Sequence, residues 1–344
     1  MSEEEILSKK TYILILEITL GIAIVGLMLM VAGLNEWFGD TLVNNDVVYY
    51  LFTAISYLGD TLVYIIIGAT LYLIYDKRFA KNLFLALLGS NYLDNSLKDI
   101  FQDPRPASNA LRANATGYGF PSGHAQGSTV TYGYLAFHTQ KNYAQEKWYK
   151  YIPWIFLVVI YLVAISRQII GVHDVEDIVG GLLIGISFLL LFINLEPLIT
   201  EKINTFDLPI KLIIAVAIPV ILFIVALLIY PTGLGDYGRA CGALTGLSVG
   251  YLIENEKIHY NPHDLDNKQR IINLAIGLAI TIVLYLLLSL IPLDVQIWKF
   301  FEYLIVALVV TLLIPWLLLL IQEKLSGREK VAKVAKVEKV ESTE

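Results

Sequence analysis

Apolar runs long enough to cross a bilayer recur along this chain of 344 residues, and no other feature constrains its fold so strongly. Inside a membrane every backbone N–H and C=O must be satisfied within the protein, so a run of about 20 apolar residues is read as a helix. Ten such runs are expected, at 12–34, 49–75, 80–97, 122–139, 151–167, 175–195, 209–230, 237–253, 271–291 and 297–321. Composition agrees. The chain is 56% hydrophobic and 16% charged, whereas a soluble domain carries about a quarter charged residues. The expected fold class is all-α, a polytopic membrane helix bundle of about ten transmembrane helices. The chain opens M-S-E-E-E and has no small-residue cleavage site before or within its first run. That run is therefore expected to be a retained helix and not a signal peptide.

Basic residues orient the bundle. With the N-terminus inside, nineteen of the 25 Lys and Arg fall on the inner side, and Lys98, Arg105, Arg112, Arg167, Arg239 and Lys299 fall outside. The positive-inside rule favours this arrangement. The expectation is a multi-pass protein of the cell membrane with both termini cytoplasmic. Three polar islands then emerge at one outer face: after the third run, before the fourth, and between the fifth and sixth.

Those islands carry chemistry. The first is K-D-I-F-Q-D-P-R-P, from Lys98 to Pro106; the second is P-S-G-H, from Pro121 to His124; the third is S-R-Q-I-I-G-V-H-D-V-E-D, from Ser166 to Asp177. Lys98, Arg105 and Arg167 are permanent cations suited to a trianionic phosphate, and a helix opening at Ser122-Gly123 offers free N–H groups to the same anion. His173 has Asp177 one helical turn on, the minimum for an oriented nucleophile, and His124 can serve as acid. Asp174 and Glu176 are rivals for the partner's place, but in a helix they face away from His173. A helix N-terminus disfavours imidazolium at His124 while a bound phosphate favours it. Ser122 can donate its hydroxyl to a phosphate oxygen and also cap the helix, and Gly123 lets backbone approach the anion. Asp94, four residues before Lys98, can orient it, with Asn91 and Asn95 extending a polar face. No cysteine cluster, acidic cluster or HExxH offers a metal site, so neither metal nor cofactor is expected, and charge neutralisation falls to the protein.

The pattern K-x6-R-P, then P-S-G-H, then S-R-x5-H-x3-D resembles the three-part signature of the type-2 phosphatidic acid phosphatase superfamily. The match covers roughly residues 50–195. The resemblance implies a six-helix phosphatase core in which His173 is the nucleophile, Asp177 its partner and His124 the acid on the leaving oxygen. It also implies that Lys98, Arg105, Ser122, Gly123 and Arg167 hold the phosphate. A metal-independent lipid phosphatase follows, acting at the outer face on a lipid phosphate or a polyprenyl pyrophosphate through a phosphohistidine. A lipid phosphotransferase would carry the same motifs. A lipid transporter is the reading from another class, weakened by the near absence of interior charge in the last four runs.

The remainder divides by composition into 1–200 as the motif-bearing unit, 201–322 as a further four-helix membrane region and 323–344 as a basic cytoplasmic tail. Gly238, Gly242, Gly246 and Gly250 lie at spacing four on one helix face, which lets two helices approach closely. Contact within the chain is the first reading and a homodimer seam the second. Cys241 stands alone, so no intrachain disulfide can form. The expected partners are a lipid phosphate and the membrane, not nucleic acid.

Overall fold

The computed structural model describes residues 7–33, 44–106, 115–143, 146–147, 149–293 and 295–324. Arg112 and the basic tail from 325 onward lie outside the described residues. The helices are α1 Lys9–Val31, α2 Asp46–Ser56, α3 Thr61–Ile74, α4 Lys77–Phe101, α5 Gly123–Tyr143, α6 Ile152–Ile169, α7 Val175–Asn204, α8 Leu208–Ile229, α9 Tyr237–Ile253, α10 Asn267–Ser289 and α11 Gln296–Leu308. A π-helical turn, Val309–Leu313, carries α11 on to residue 324. Among the described residues the regular structure is entirely helical.

Each expected run holds helix, with two differences. The run at 49–75 is not one helix: α2 ends in a 3-10 turn at Tyr57–Gly59, and α3 departs at 44° to α2. The Gly59-Asp60 pair causes the break. Asp60 accepts from the Leu62 N–H at 3.0 Å and so starts a new helix. The second difference concerns apolarity. Six helices are long and apolar enough to cross a membrane, or seven if the bent pair is one span. The three that fall short are α4, α5 and α9. They sit inside the bundle, where other helices screen them from lipid, and they bury Asn82, Ser90, Asp94, Asn95, Gln126, Thr129 and Thr131 or a run of glycines. Polar residues concentrate where protein, not lipid, surrounds them.

α5 is the hub of the first region and packs against α4, α6 and α7, while α1 lies against α7 at the periphery. In the second region α9 and α11 form the closest pair. A Cβ at Gly238, Gly242 or Gly246 would run into the backbone carbonyls of Gln296, Phe300 and Leu304, and one at Gly250 into Thr311. The glycine face is therefore packed against α11 of the same chain, the first of the two readings of that series.

The two regions are tied at both ends of α4. At one end the Asp99 carboxylate accepts from Leu234 N–H at 2.8 Å, Gly235 N–H at 3.2 Å and the Tyr237 hydroxyl at 2.9 Å. Asn95 Oδ1 accepts from Asp236 N–H at 2.9 Å. At the other end Lys77 meets the fully buried Glu254 carboxylate at 2.9 Å, which also accepts from Tyr260 N–H at 2.7 Å.

Candidate active site

The three polar islands converge at the C-terminal end of α4, the N-terminal end of α5 and the α6–α7 connection. His173 lies just before α7, and Asp174 and Asp177 form a capping box that starts that helix. The Asp177 Oδ2 atom accepts from Asp174 N–H at 3.2 Å and sits 2.9 Å from His173 Nδ1. One carboxylate thus begins the helix and holds the ring. Asp174 caps the helix, and its place as a rival partner for His173 disappears.

The tautomer of His173 follows from its other neighbour. Arg105 Nη1 stands 3.1 Å from His173 Nε2. A guanidinium only donates, so Nε2 is the acceptor and the proton sits on Nδ1, donated to Asp177. Arg105 is itself aimed by backbone: its Nε donates to the Thr116 and Gly117 carbonyls at 3.1 Å each, and Nη1 also donates to Val172 O at 3.0 Å. Burial, and then the charges of Arg167, Arg105 and Lys98, push the His173 imidazole well below its ordinary range. It is neutral at neutral pH, with its lone pair turned toward the cations.

Ser122 is completely buried, and its N–H donates to Asp177 O at 2.9 Å, which pins the second island to the third. Its hydroxyl has no partner among the described residues, so it does not cap α5 as the sequence allowed. A buried hydroxyl without a partner costs free energy unless a ligand meets it. Arg167 Nε is in the same condition, while its Nη1 donates to Ser56 Oγ at 2.6 Å. Two donors left over in a cationic niche describe an anion site.

Lys98 is held by Asp94 one turn before it. A Cβ at position 123 would come within 2.9 Å of Asp94 Oδ2 and 3.2 Å of Lys98 Nζ. Gly123 is thus needed for this ion pair to reach the start of α5. Asn95 does not share the role expected for it. It serves the join with the second region, and Asn91 accepts its amide at 2.7 Å.

All eight expected site residues are therefore brought to one place: His173, Asp177, Arg105 and Ser122 by direct contacts, Lys98 and Gly123 through Asp94, His124 beside Gly123, and Arg167 through its charge on His173. Two residues escaped the sequence reading. Ser56 holds Arg167 from the end of α2, and no local pattern marks a serine whose partner lies 111 residues away. Arg239 reaches this end of the bundle from the second region, donating to Thr61 Oγ1 at 3.1 Å. It was visible only as one of the few basic residues on the outer side.

Residues 79–201 match the family described as the PAP2 superfamily, and residues 238–328 match a second description, PAP2 superfamily phosphatase, transmembrane extension. The chain is 32% identical over 144 residues to phosphatidylglycerophosphatase B of Bacillus subtilis, covering 41% of this chain and 68% of that protein. It is 32% identical to lipid phosphate phosphatase delta of Arabidopsis thaliana, covering 37% of this chain and 34% of the relative. With sphingosine-1-phosphate phosphatase 1 of Rattus norvegicus identity is 28%, over 60% of this chain and 49% of the relative. The chain thus spans about a third to a half of the length of these last two. A crystal structure of a transmembrane PAP2-type phosphatidylglycerolphosphate phosphatase from Bacillus subtilis is 26% identical, with a TM-score of 0.42, over 56% of this chain and 98% of that one. The motifs and the relatives agree: this chain is a multi-pass membrane protein of the PAP2 superfamily.

Proposed function

We propose that the protein is a metal-independent phosphatase that hydrolyses a lipid phosphate at the outer membrane face through a phosphohistidine. The observation that carries this is the His173 environment: Nδ1–H held by Asp177, Nε2 facing Arg105, and unpartnered Ser122 and Arg167 donors beside it. Lys98, Arg105, Arg167 and Ser122 hold the phosphate oxygens, and Arg105 exchanges the Nε2 lone pair for a phosphate oxygen as substrate enters. His173 Nε2 then attacks phosphorus. The bond to the leaving oxygen breaks, and His124 gives that oxygen its proton. The emerging imidazolium is stabilised by Asp177. In the second half His124 takes a proton from water, which attacks the phosphohistidine and frees inorganic phosphate. The cations absorb the charge that builds up on the equatorial oxygens.

The relatives' names speak of lipid phosphate, sphingosine-1-phosphate, phosphatidylglycerophosphate and dolichyl diphosphate, and a lipid phosphate or pyrophosphate is the substrate class we infer here. The test is phosphate release from such lipids in detergent with EDTA present, and its block by vanadate, which mimics the five-coordinate phosphorus of the transition state. Restoration of EDTA-abolished activity by magnesium or zinc overturns the metal-free reading. The outer-face placement rests on the distribution of basic residues and is tested separately. A Leu234→Cys label should react with an impermeant reagent from outside, and a Lys141→Cys label should not. The native Cys241 is buried and gives no background.

A further inference from the structure

His124, Gly123 and Asp94 also form one wall of a cavity of about 310 Å³, enclosed by α3, α4 and α5 of the first region and by α9 and α11 of the second. Its chemistry is unlike that of the phosphate cradle. The charged residues on its walls, apart from His124, are Asp60, Asp94, Asp236 and Arg239, three carboxylates against one guanidinium. Four polar atoms of lining residues have no hydrogen-bond partner among the described residues: the Tyr64 hydroxyl, Gln126 Oε1, Asp94 Oδ1 and Arg239 Nε. Gln126 is 1% exposed, and its amide nitrogen donates to Ser90 O at 2.8 Å and to Ser90 Oγ at 2.9 Å, which leaves the oxygen for a ligand. Asp94 is 7% exposed and uses its other oxygen on Lys98. Arg239 is fixed in place by Thr61 Oγ1 at 3.1 Å, by Asp236 at 2.8 Å and by the face of Tyr303 at 5.1 Å.

We propose that this cavity is the leaving-group site and selects lipid phosphomonoesters whose released alcohol bears hydrogen-bond donors, hydroxyl or ammonium, near the ester oxygen. The proposal rests on the phosphohistidine reading, because it is His124 that carries the alcohol's proton and that the cavity meets. As the phosphorus–oxygen bond breaks, the oxygen takes the His124 proton and the alcohol remains in the cavity. Its donors meet Gln126 Oε1 and Asp94 Oδ1, and a hydroxyl oxygen accepts from Arg239 Nε. Buried acceptors left without donors are costly, so an alcohol lacking donors is disfavoured. The inner phosphate of a polyprenyl pyrophosphate fits less well still. It brings acceptors to acceptors and adds negative charge beside three carboxylates. The second membrane region thereby has a part in the reaction: through Arg239 and Asp236 it closes one side of the substrate site.

The experiment measures phosphate release by the full chain in detergent from four lipids: phosphatidylglycerophosphate, sphingosine-1-phosphate, phosphatidic acid and a polyprenyl pyrophosphate. The first carries a hydroxyl donor and the second an ammonium besides a hydroxyl, so the difference between these two arms reads what the ammonium adds. The last two carry no donor near the scissile bond. We expect kcat/KM for at least one of the first pair to exceed both of the last by about tenfold or more, the ratio for one well-formed hydrogen bond. Arg239→Gln and Gln126→Leu should each reduce the ratio of donor-bearing substrate to phosphatidic acid by about tenfold. Asp60→Asn keeps the cap of α3 but removes a carboxylate, and should raise the pyrophosphate rate relative to phosphatidic acid. Each readout is a ratio within one preparation, so partial unfolding of a variant cancels. Preference for the pyrophosphate, or ratios unmoved in all three variants, overturns the proposal. Release from none of the four lipids would instead bring down the phosphatase reading itself, and this proposal with it.

Discussion

The phosphate cradle and the seam between the two membrane regions are built by opposite means. In the cradle, residues that act together are close in sequence: His173 with Asp177 and Lys98 with Asp94 lie four residues apart, and Ser122, Gly123 and His124 are contiguous. In the seam, partners are distant: Asp99 holds backbone 135 residues on, and Lys77 meets Glu254 across 177 residues. α4 shows both schemes on adjacent faces. Asp94 and Lys98 serve the cradle, while Asn95 and Asp99, each one residue further along, hold the second region. Chemistry that needs a particular distance between two groups is secured by helical geometry, whereas joining two helical units only requires that surfaces meet somewhere.

The comparison predicts where damage is chemical and where it is structural. His173→Ala should remove activity on every substrate, a loss of about 10⁶-fold by analogy with other nucleophile deletions, while the protein keeps its thermal stability in detergent. Retention of a trapped phosphoenzyme in this variant would show that the nucleophile lies elsewhere.

Arg105→Gln should cost about 10² to 10³ in kcat, the usual loss for one charge-stabilising donor, and it carries a second signature. Neutral His173 is the reactive form, so activity falls as pH drops through its pKa. Burial and the neighbouring cations hold that pKa below the usual range, so the acid limb of kcat/KM in the native protein should lie below about 6.5. Removing the Arg105 charge raises the pKa and should move the limb to higher pH. An unmoved limb would disconnect Arg105 from His173.

Inside the second region, Gly242→Leu should destabilise the protein by about 1–3 kcal/mol or more, because the new side chain meets the Phe300 backbone. Gly21→Leu on α1 is the control: nothing lies within 4 Å of a Cβ there, and its melting temperature should be unchanged. If both variants melt alike, the glycine face does not hold α9 tightly against α11.

The difference between the two regions also explains what could be read from sequence. Helix positions and the convergence of the three polar islands were legible, because apolar length and short motif spacings are local signals. The break at Gly59-Asp60 was written in a stop and a start signal but was masked by the apolarity of the run around it. The polar character of α4, α5 and α9 reflects their enclosure by other helices, which no local window records. Of two readings left open for the glycine series, only the tertiary arrangement could decide, since the same face suits a neighbouring helix or a second copy.

Ser56 gives the smallest expected effect and the finest test of the boundary between the two schemes. It is a long-range contact serving a cradle residue: its hydroxyl, 4% exposed, accepts from Arg167 Nη1 at 2.6 Å. Ser56→Ala leaves the Arg167 charge in place but frees its orientation, so Nε no longer points dependably at the anion. Loss of one hydrogen bond to a charged group is worth about 1.5–3 kcal/mol at most, and Arg167 retains part of its attraction wherever it points. A fall in kcat/KM of about tenfold is therefore expected, with the acid limb of the pH profile unmoved, because the charge near His173 persists. Ser56→Thr keeps the hydroxyl and should recover most of the rate. Loss of activity as deep as for Arg105→Gln would mean that Arg167 depends on this one contact for its place in the cradle.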